Sequence, residues 1–326
     1  MDVLVTAKLS EEVLGPLLAE HQVAVNPYDH PMSREDLLKG VKNVDGLLCM
    51  IMDHIDQEVI DAAPRLKMIA NYGVGYDNID VQAASSRGIW VSNTPGVLVD
   101  ATADLTMALM LAVARRVVEG DHIVRAEQWK AWSPYVFLGV DVSGKTLGII
   151  GLGQIGRAVA VRAKGFGMTI LYYNRHRIDI NDEEKLGVRY ASLDELLSKS
   201  DFVSLHVSLN PQSRRLIGMD QLRMMKRSAF LINVSRGPVV HEGALVEALE
   251  QGIISGAGLD VYENEPQVSS GLKKLTNVVL LPHIGSATIE TRTRMGNKAV
   301  ENLLNGLRGD LPQNCLNPDA RKPRQF

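Results

Sequence analysis

Only two cysteines, Cys49 and Cys315, occur among 326 residues, and they stand far apart in the chain. That excludes a disulfide framework and the paired spacings of a zinc site, so no metal is expected. Basic residues are not in excess either: Lys+Arg 35 against Asp+Glu 38 leaves a net charge of −3. Nucleic acid is therefore not an expected partner, because neutralising phosphates needs a marked positive surplus. No apolar run is long enough for a membrane. The most apolar stretch, residues 105–114, has ten residues against the roughly 20 that a span requires, so it is expected to form a buried helix. The first 14 residues lack the basic-then-apolar order of a signal peptide. A cytoplasmic protein is expected. What remains is ordinary for a globular chain, with 45% hydrophobic and 22% charged residues. At roughly 150 residues per domain, the length predicts two domains.

Short apolar runs alternate with helical patterns almost throughout, the signature of βαβ units and parallel sheets. Strands are predicted at residues 3–6, 23–25, 46–51, 68–70 and 90–92, with helices between them. One long, mostly apolar helix is predicted over 102–125, as a connector. A second series of strands follows at 146–150, 169–173, 202–205, 229–233, 255–259 and 278–281. A second long helix is predicted over 288–307, and the polar tail from 317 to 326 is expected to fray.

The strand at 146–150 runs into Gly151-Leu152-Gly153-Gln154-Ile155-Gly156, which opens the next helix. In that context the glycines have assigned work. The first permits a tight turn, the second lets backbone approach a pyrophosphate, and the third lets helix and strand pack closely, with the anion on the helix N-terminus. An NAD site wants Asp or Glu at the end of the following strand, to accept a bond from the ribose 2′-hydroxyl. This chain has Asn174-Arg175-His176-Arg177 instead. Two guanidiniums where a carboxylate is missing suit a 2′-phosphate, so NADP(H) is expected over NAD(H).

Three polar residues follow successive predicted strands: Arg236, Glu265 and His283. They suit carbonyl reduction. His283, whose unperturbed pKa lies near neutrality, would donate a proton to the developing alkoxide. Glu265 would orient the ring and favour its charged form. Arg236 would fork onto the oxygens of a 2-oxo acid and polarise the carbonyl. Earlier in the chain, the glycines of Gly73-Val74-Gly75 would free the N–H groups of Val74 and Gly75 to clamp a carboxylate; a purely structural turn is the competing account. Met50, Met52 and Asp53 are expected to shape the pocket for the substrate tail. Residues 92–96 read as a plain turn without chemistry.

With these segments in hand, the sequence resembles the D-isomer-specific 2-hydroxyacid dehydrogenases from about residue 46 to about residue 317. The motifs are NYGVGYDNID at 71–80, GLGQIG at 151–156, NVSRG at 233–237, GLDVYENEP at 258–266 and PHIGSAT at 282–288. The resemblance implies an α/β fold of two Rossmann- or flavodoxin-like domains, each a doubly wound parallel sheet, with the active site in the cleft between them. The substrate domain would comprise residues 1–99 and 287–326, and the dinucleotide-binding domain residues 100–286. The family's catalytic Arg, Glu and His match Arg236, Glu265 and His283, and its carboxylate-binding backbone matches Val74 and Gly75, with Arg236 and His283 also on the substrate. Its cofactor contacts carry over to Leu152, Gly153, Gln154, Ile155, Asn174, Arg175, His176, Val234, Ser235, Arg236, Asp260, His283 and Gly285, with Asp260 meeting the nicotinamide carboxamide. Within the family the chain is similar to glyoxylate/hydroxypyruvate reductases, a branch that includes 2-ketogluconate reductases and fits an NADPH preference. The resemblance further implies a homodimer paired through the cofactor domains, with Trp132 of a partner reaching toward the active site. A different class of function, a dinucleotide-sensing corepressor, shares this fold; the absence of an added interaction segment favours the enzyme.

Overall fold

The computed structural model describes residues 1–321 and divides them into two compact units, Met1–Leu98 with Thr288 onward, and Val99–Ala287. The first unit holds a five-stranded sheet of β1 (Asp2–Val5), β2 (Gln22–Val25), β3 (Gly46–Met50), β4 (Met68–Tyr72) and β5 (Trp90–Ser92). Its order is β2-β1-β3-β4-β5, and every pairing is parallel. The middle strands are buried on both faces, which is why they read as continuous apolar runs instead of alternating ones. The long helix Ile289–Arg308 lies over this sheet; its Leu303 and Leu307 reach within 3.2 Å of where a side chain on Gly46 would begin.

The second unit holds seven parallel strands: β6 (Thr146–Ile150), β7 (Thr169–Tyr173), β8 (Arg189–Tyr190), β9 (Phe202–Leu205), β10 (Phe230–Asn233), β11 (Gly256–Leu259) and β12 (Val278–Leu280). Their order is β12-β11-β10-β9-β6-β7-β8. The chain starts at β6 in the middle, builds outward to β8, then returns to the other side of β6. Such a reversal splays the loops at the carboxyl ends of β6 and β9 apart and leaves a crevice there. Both units thus have the expected class, parallel sheets interleaved with helices. Among the described residues, no helix is long and apolar enough to cross a membrane.

Three expectations change. The helix expected over 102–125 is two helices, Val99–Ala114 and Val117–Arg125, broken at Arg116, which has φ 54°. The first buries Ala103, Met107, Leu109, Met110 and Val113, whereas the second buries nothing, so packing stops where the chain turns. Arg116 secures the corner by forking onto Glu119 at 2.8 and 2.7 Å. The tail does not fray at its start: Asn317 accepts the Val91 N–H at 2.8 Å and donates to the Ile89 carbonyl at 2.8 Å. Residues 322–326 lie outside the described part. Finally, β8 and the helices Ile180–Leu186 and Ser270–Lys274 are too short for periodicity to reveal.

Candidate active site

Gly151 sits at φ 99° directly after β6, and a side chain there would start 2.7 Å from the His206 carbonyl carbon. A side chain on Gly156 would start 2.3 Å from the Gly151 oxygen, so helix Gln154–Lys164 can approach the turn only with glycine there. Over Gly153 there is open space to 4 Å, and Gly153 caps the helix with no side chain. First-turn N–H groups beneath open space suit a diphosphate, so these residues fit a dinucleotide. Asn174 braces the turn from β7 by accepting the Leu152 N–H at 2.7 Å. His206, at the end of β9, shares a 2.8 Å hydrogen bond with Ser204 through Nε2, and its Nδ1 is buried without a partner. Burial pushes its pKa down to about 3, so the imidazole beside the glycine turn is neutral.

The two arginines after Asn174 part company in the structure. Arg177 forks onto the buried Glu183 at 2.7 and 2.7 Å, a contact that raises its own pKa. Tyr172, pushed up to about 12 by burial and then by Glu183, donates to the same carboxylate and accepts the Ile178 N–H at 3.1 Å. Arg177 is therefore occupied in shaping the loop, which corrects the expectation of two phosphate-reading guanidiniums. Arg175 and His176 are exposed beside it.

Strands β10, β11 and β12 are neighbours, and each is followed by one of the three polar residues singled out in the sequence, Arg236, Glu265 and His283. After β10, Asn233 folds the chain back: its Oδ1 accepts from the Ser235 N–H (3.1 Å) and hydroxyl (2.8 Å), and its Nδ2 donates to the Arg236 carbonyl (3.0 Å). Val234 is buried, and Arg236 lies half-buried with one Nη on the Ser235 carbonyl at 2.9 Å. After β11, Glu265 accepts the Tyr262 N–H through Oε1 at 2.9 Å. Its Oε2 lies 2.7 Å from His283 Nδ1. His283 itself has φ 55°, an uncommon conformation for a residue with a side chain. Asp260 holds that turn. It is 1% exposed, and its two oxygens accept the Ile284 and Gly285 N–H groups at 2.7 Å each. Burial raises the Asp260 pKa against the opposing pull of Ile284 and His283. The resemblance implied a cofactor contact for Asp260; in the structure its two carboxylate oxygens fix the turn that carries His283.

In the first unit, the segment after β4 turns its carbonyls inward. The Gly73 oxygen accepts from Thr94 N–H (2.9 Å), the Val74 oxygen from Asn93 Nδ2 (2.8 Å) and the Gly75 oxygen from Asn71 Nδ2 (2.7 Å). The N–H groups of Val74 and Gly75 have no acceptor among the described residues. Asn93, read from the sequence as part of a plain turn, is thus one of the holders of this loop. Asp53 also departs from expectation. It is 4% exposed, accepts the Thr6 hydroxyl and the Met50 N–H (2.7 Å), and so faces the core instead of lining a pocket. Met52, at 39% exposure, is left at the tip of that turn.

A family model described as D-isomer specific 2-hydroxyacid dehydrogenase, NAD binding domain, matches residues 107–285. The chain belongs to the D-isomer-specific 2-hydroxyacid dehydrogenases. Similar members of this dehydrogenase family include a glyoxylate reductase of Korarchaeum cryptofilum, 50% identical over 324 residues, which are 99% of this chain and 97% of that one. Another is a glyoxylate reductase of Thermococcus kodakarensis, 49% identical over 327 residues, covering 99% of this chain and 98% of its own length. Among solved structures, an NADPH-dependent glyoxylate/hydroxypyruvate reductase from Sinorhizobium meliloti, in complex with NADP and malonate, superposes with a TM-score of 0.85 at 32% identity, covering 100% of this chain and 99% of that one.

As a 2-hydroxyacid dehydrogenase the chain uses a nicotinamide dinucleotide. Several residues of this dehydrogenase escaped the sequence. Glu242 accepts the Glu263 N–H (3.0 Å) and the Ser269 N–H (3.3 Å), gripping the Glu265 loop on both sides. Its position at the start of helix Glu242–Glu250 looks like ordinary dipole compensation. Gly237 is where the Arg236 and Glu265 loops touch, since a side chain there would start 1.8 Å from the Tyr262 carbonyl. Gly237→Ala is expected to cost about 3 kcal/mol or more, read as a lowered midpoint in urea unfolding. An unchanged midpoint would show that the two loops separate freely.

Proposed function

We propose that this dehydrogenase reduces glyoxylate, and with it hydroxypyruvate and 2-ketogluconate, to the corresponding D-2-hydroxy acids, preferring NADPH to NADH. The observation that carries the proposal is the Glu265–His283 pair at 2.7 Å, one strand removed from the Arg236 loop. Glu265 on Nδ1 fixes the ring orientation, leaving Nε2 to hand a proton to the substrate oxygen. Arg236 presents a planar fork that binds the oxo acid and draws charge onto the carbonyl oxygen. The unpartnered N–H groups of Val74 and Gly75 take the carboxylate. When bound, the reduced nicotinamide supplies the hydride. Glyoxylate as substrate is supported by the names of the relatives above.

Support for NADPH is local. Asn174 stands where an acidic residue would select the 2′-hydroxyl, and the exposed Arg175 follows it. Arg175→Ala is expected to raise the KM for NADPH about tenfold or more, as loss of a charged hydrogen bond implies, with little change for NADH. Equal losses for both cofactors would defeat the assignment. The deciding measurement for the whole proposal is steady-state kinetics with NADPH and NADH on glyoxylate, hydroxypyruvate, pyruvate and 2-ketogluconate. The proposal also pairs two copies of the chain through the second unit. Trp129, Trp132, Tyr135 and Leu138 support this, since they are 60%, 79%, 84% and 62% exposed within ten residues, an apolar surface of the kind that marks an interface.

A further inference from the structure

We infer that Asn78 is a positioning residue for the substrate: it sets the distance between the carboxylate loop and the turn at residues 50–53. The inference rests on Val74 and Gly75 holding the carboxylate. Asn78 Nδ2 reaches the Met50 carbonyl at 3.1 Å, the Asp53 carbonyl at 3.0 Å and Asn71 Oδ1 at 3.4 Å. Asn71, wholly buried, passes the connection on through its own Nδ2 to the carbonyls of Gly75 (2.7 Å) and Gly73 (3.5 Å). Two amide side chains in series thus join the 50–53 turn to the loop whose Val74 and Gly75 N–H groups have no acceptor among the described residues. The main chain of Asn78 is fixed as well, its carbonyl accepting the Ile55 N–H at 2.8 Å.

The two segments also touch directly. A side chain on Gly73 would start 2.5 Å from Ile51 Cγ2. An acid held at Val74 and Gly75 therefore has the 50–53 turn as its neighbour, with Met52 at the tip. Remove the Asn78 donors and the Met50 and Asp53 carbonyls lose a shared anchor, while Asn71 Oδ1 is left with only the long contact from Cys49 Sγ at 3.8 Å. The loop N–H groups then spread over several directions, and binding of the carboxylate weakens in ground state and transition state alike. Loss of such uniform binding raises KM and spares kcat.

The test is kinetic. Asn78→Ala is expected to raise the KM for glyoxylate about tenfold, the size of one buried bond left unmade, with kcat and the KM for NADPH within about twofold of wild type. Asn78→Ser, which returns one donor, should recover part of the loss. A merely structural role would lower the active fraction, and KM does not depend on that fraction, so a partly folded sample reads the same. Wild type is compared on a 2-oxo acid and its amide. If wild type prefers the acid while both variants keep the wild-type KM, the Asn78 inference is overturned and the carboxylate site stands. If wild type accepts the amide equally well, the carboxylate site falls, and the inference falls with it.

Discussion

His283→Ala is expected to lower turnover of the 2-oxo acid by roughly 10²–10⁴-fold, the range supplied by one positioned proton donor. Affinity for NADPH, followed by fluorescence titration, should stay close to wild type, because the glycine turn after β6 and Asn174 are braced independently of His283. The loss should appear in kcat, since the proton moves only as the carbonyl is reduced. The substitution also strands Glu265, whose Oε2 lies on His283 Nδ1 at 2.7 Å while Oε1 stays on the Tyr262 N–H. A drop smaller than tenfold would mean that some other group delivers the proton.

Arg236→Lys is the second large expectation, at about 10²–10³-fold in kcat/KM, the usual consequence of losing one donor aimed at a developing oxyanion. Charge is conserved in this exchange, so the loss isolates geometry: an ammonium cannot reproduce two parallel bonds to a planar oxo acid. The backbone under the residue should not change, because Asn233 holds the Arg236 carbonyl from below and does not depend on the side chain. Retention of activity within about threefold would reduce Arg236 to a nonspecific positive charge.

Much of this fold can be read from the chain because parallel strands buried on both faces appear as bare apolar runs, such as residues 46–50 and 230–233. The glycine turn is equally legible, since Gly151 and Gly156 answer to close contacts that a side chain would break, while Gly153 leaves open space over the helix start. Arg236, Glu265 and His283 stand out because each interrupts the sequence just past a strand. The corner at Arg116 is different. Neither glycine nor proline stands at 115–117, and the left-handed residue is held by a fork to Glu119 three positions on. The work of Asn71, Asn78 and Asn93 is invisible for another reason. Each spends its amide on carbonyls 2 to 28 positions away, and a polar residue near a turn gives no hint of which carbonyls it will meet. Arg177 misled because its partner, Glu183, is concealed in a helix too short to be foreseen.

Asn174 engages the Leu152 N–H through its oxygen. An aspartate would offer the same oxygen to the same N–H, keep the brace intact and bring a full negative charge to the ribose. Under the proposed NADPH preference, that exchange of one nitrogen for one oxygen would favour the other reducing currency without rebuilding the turn that grips the dinucleotide.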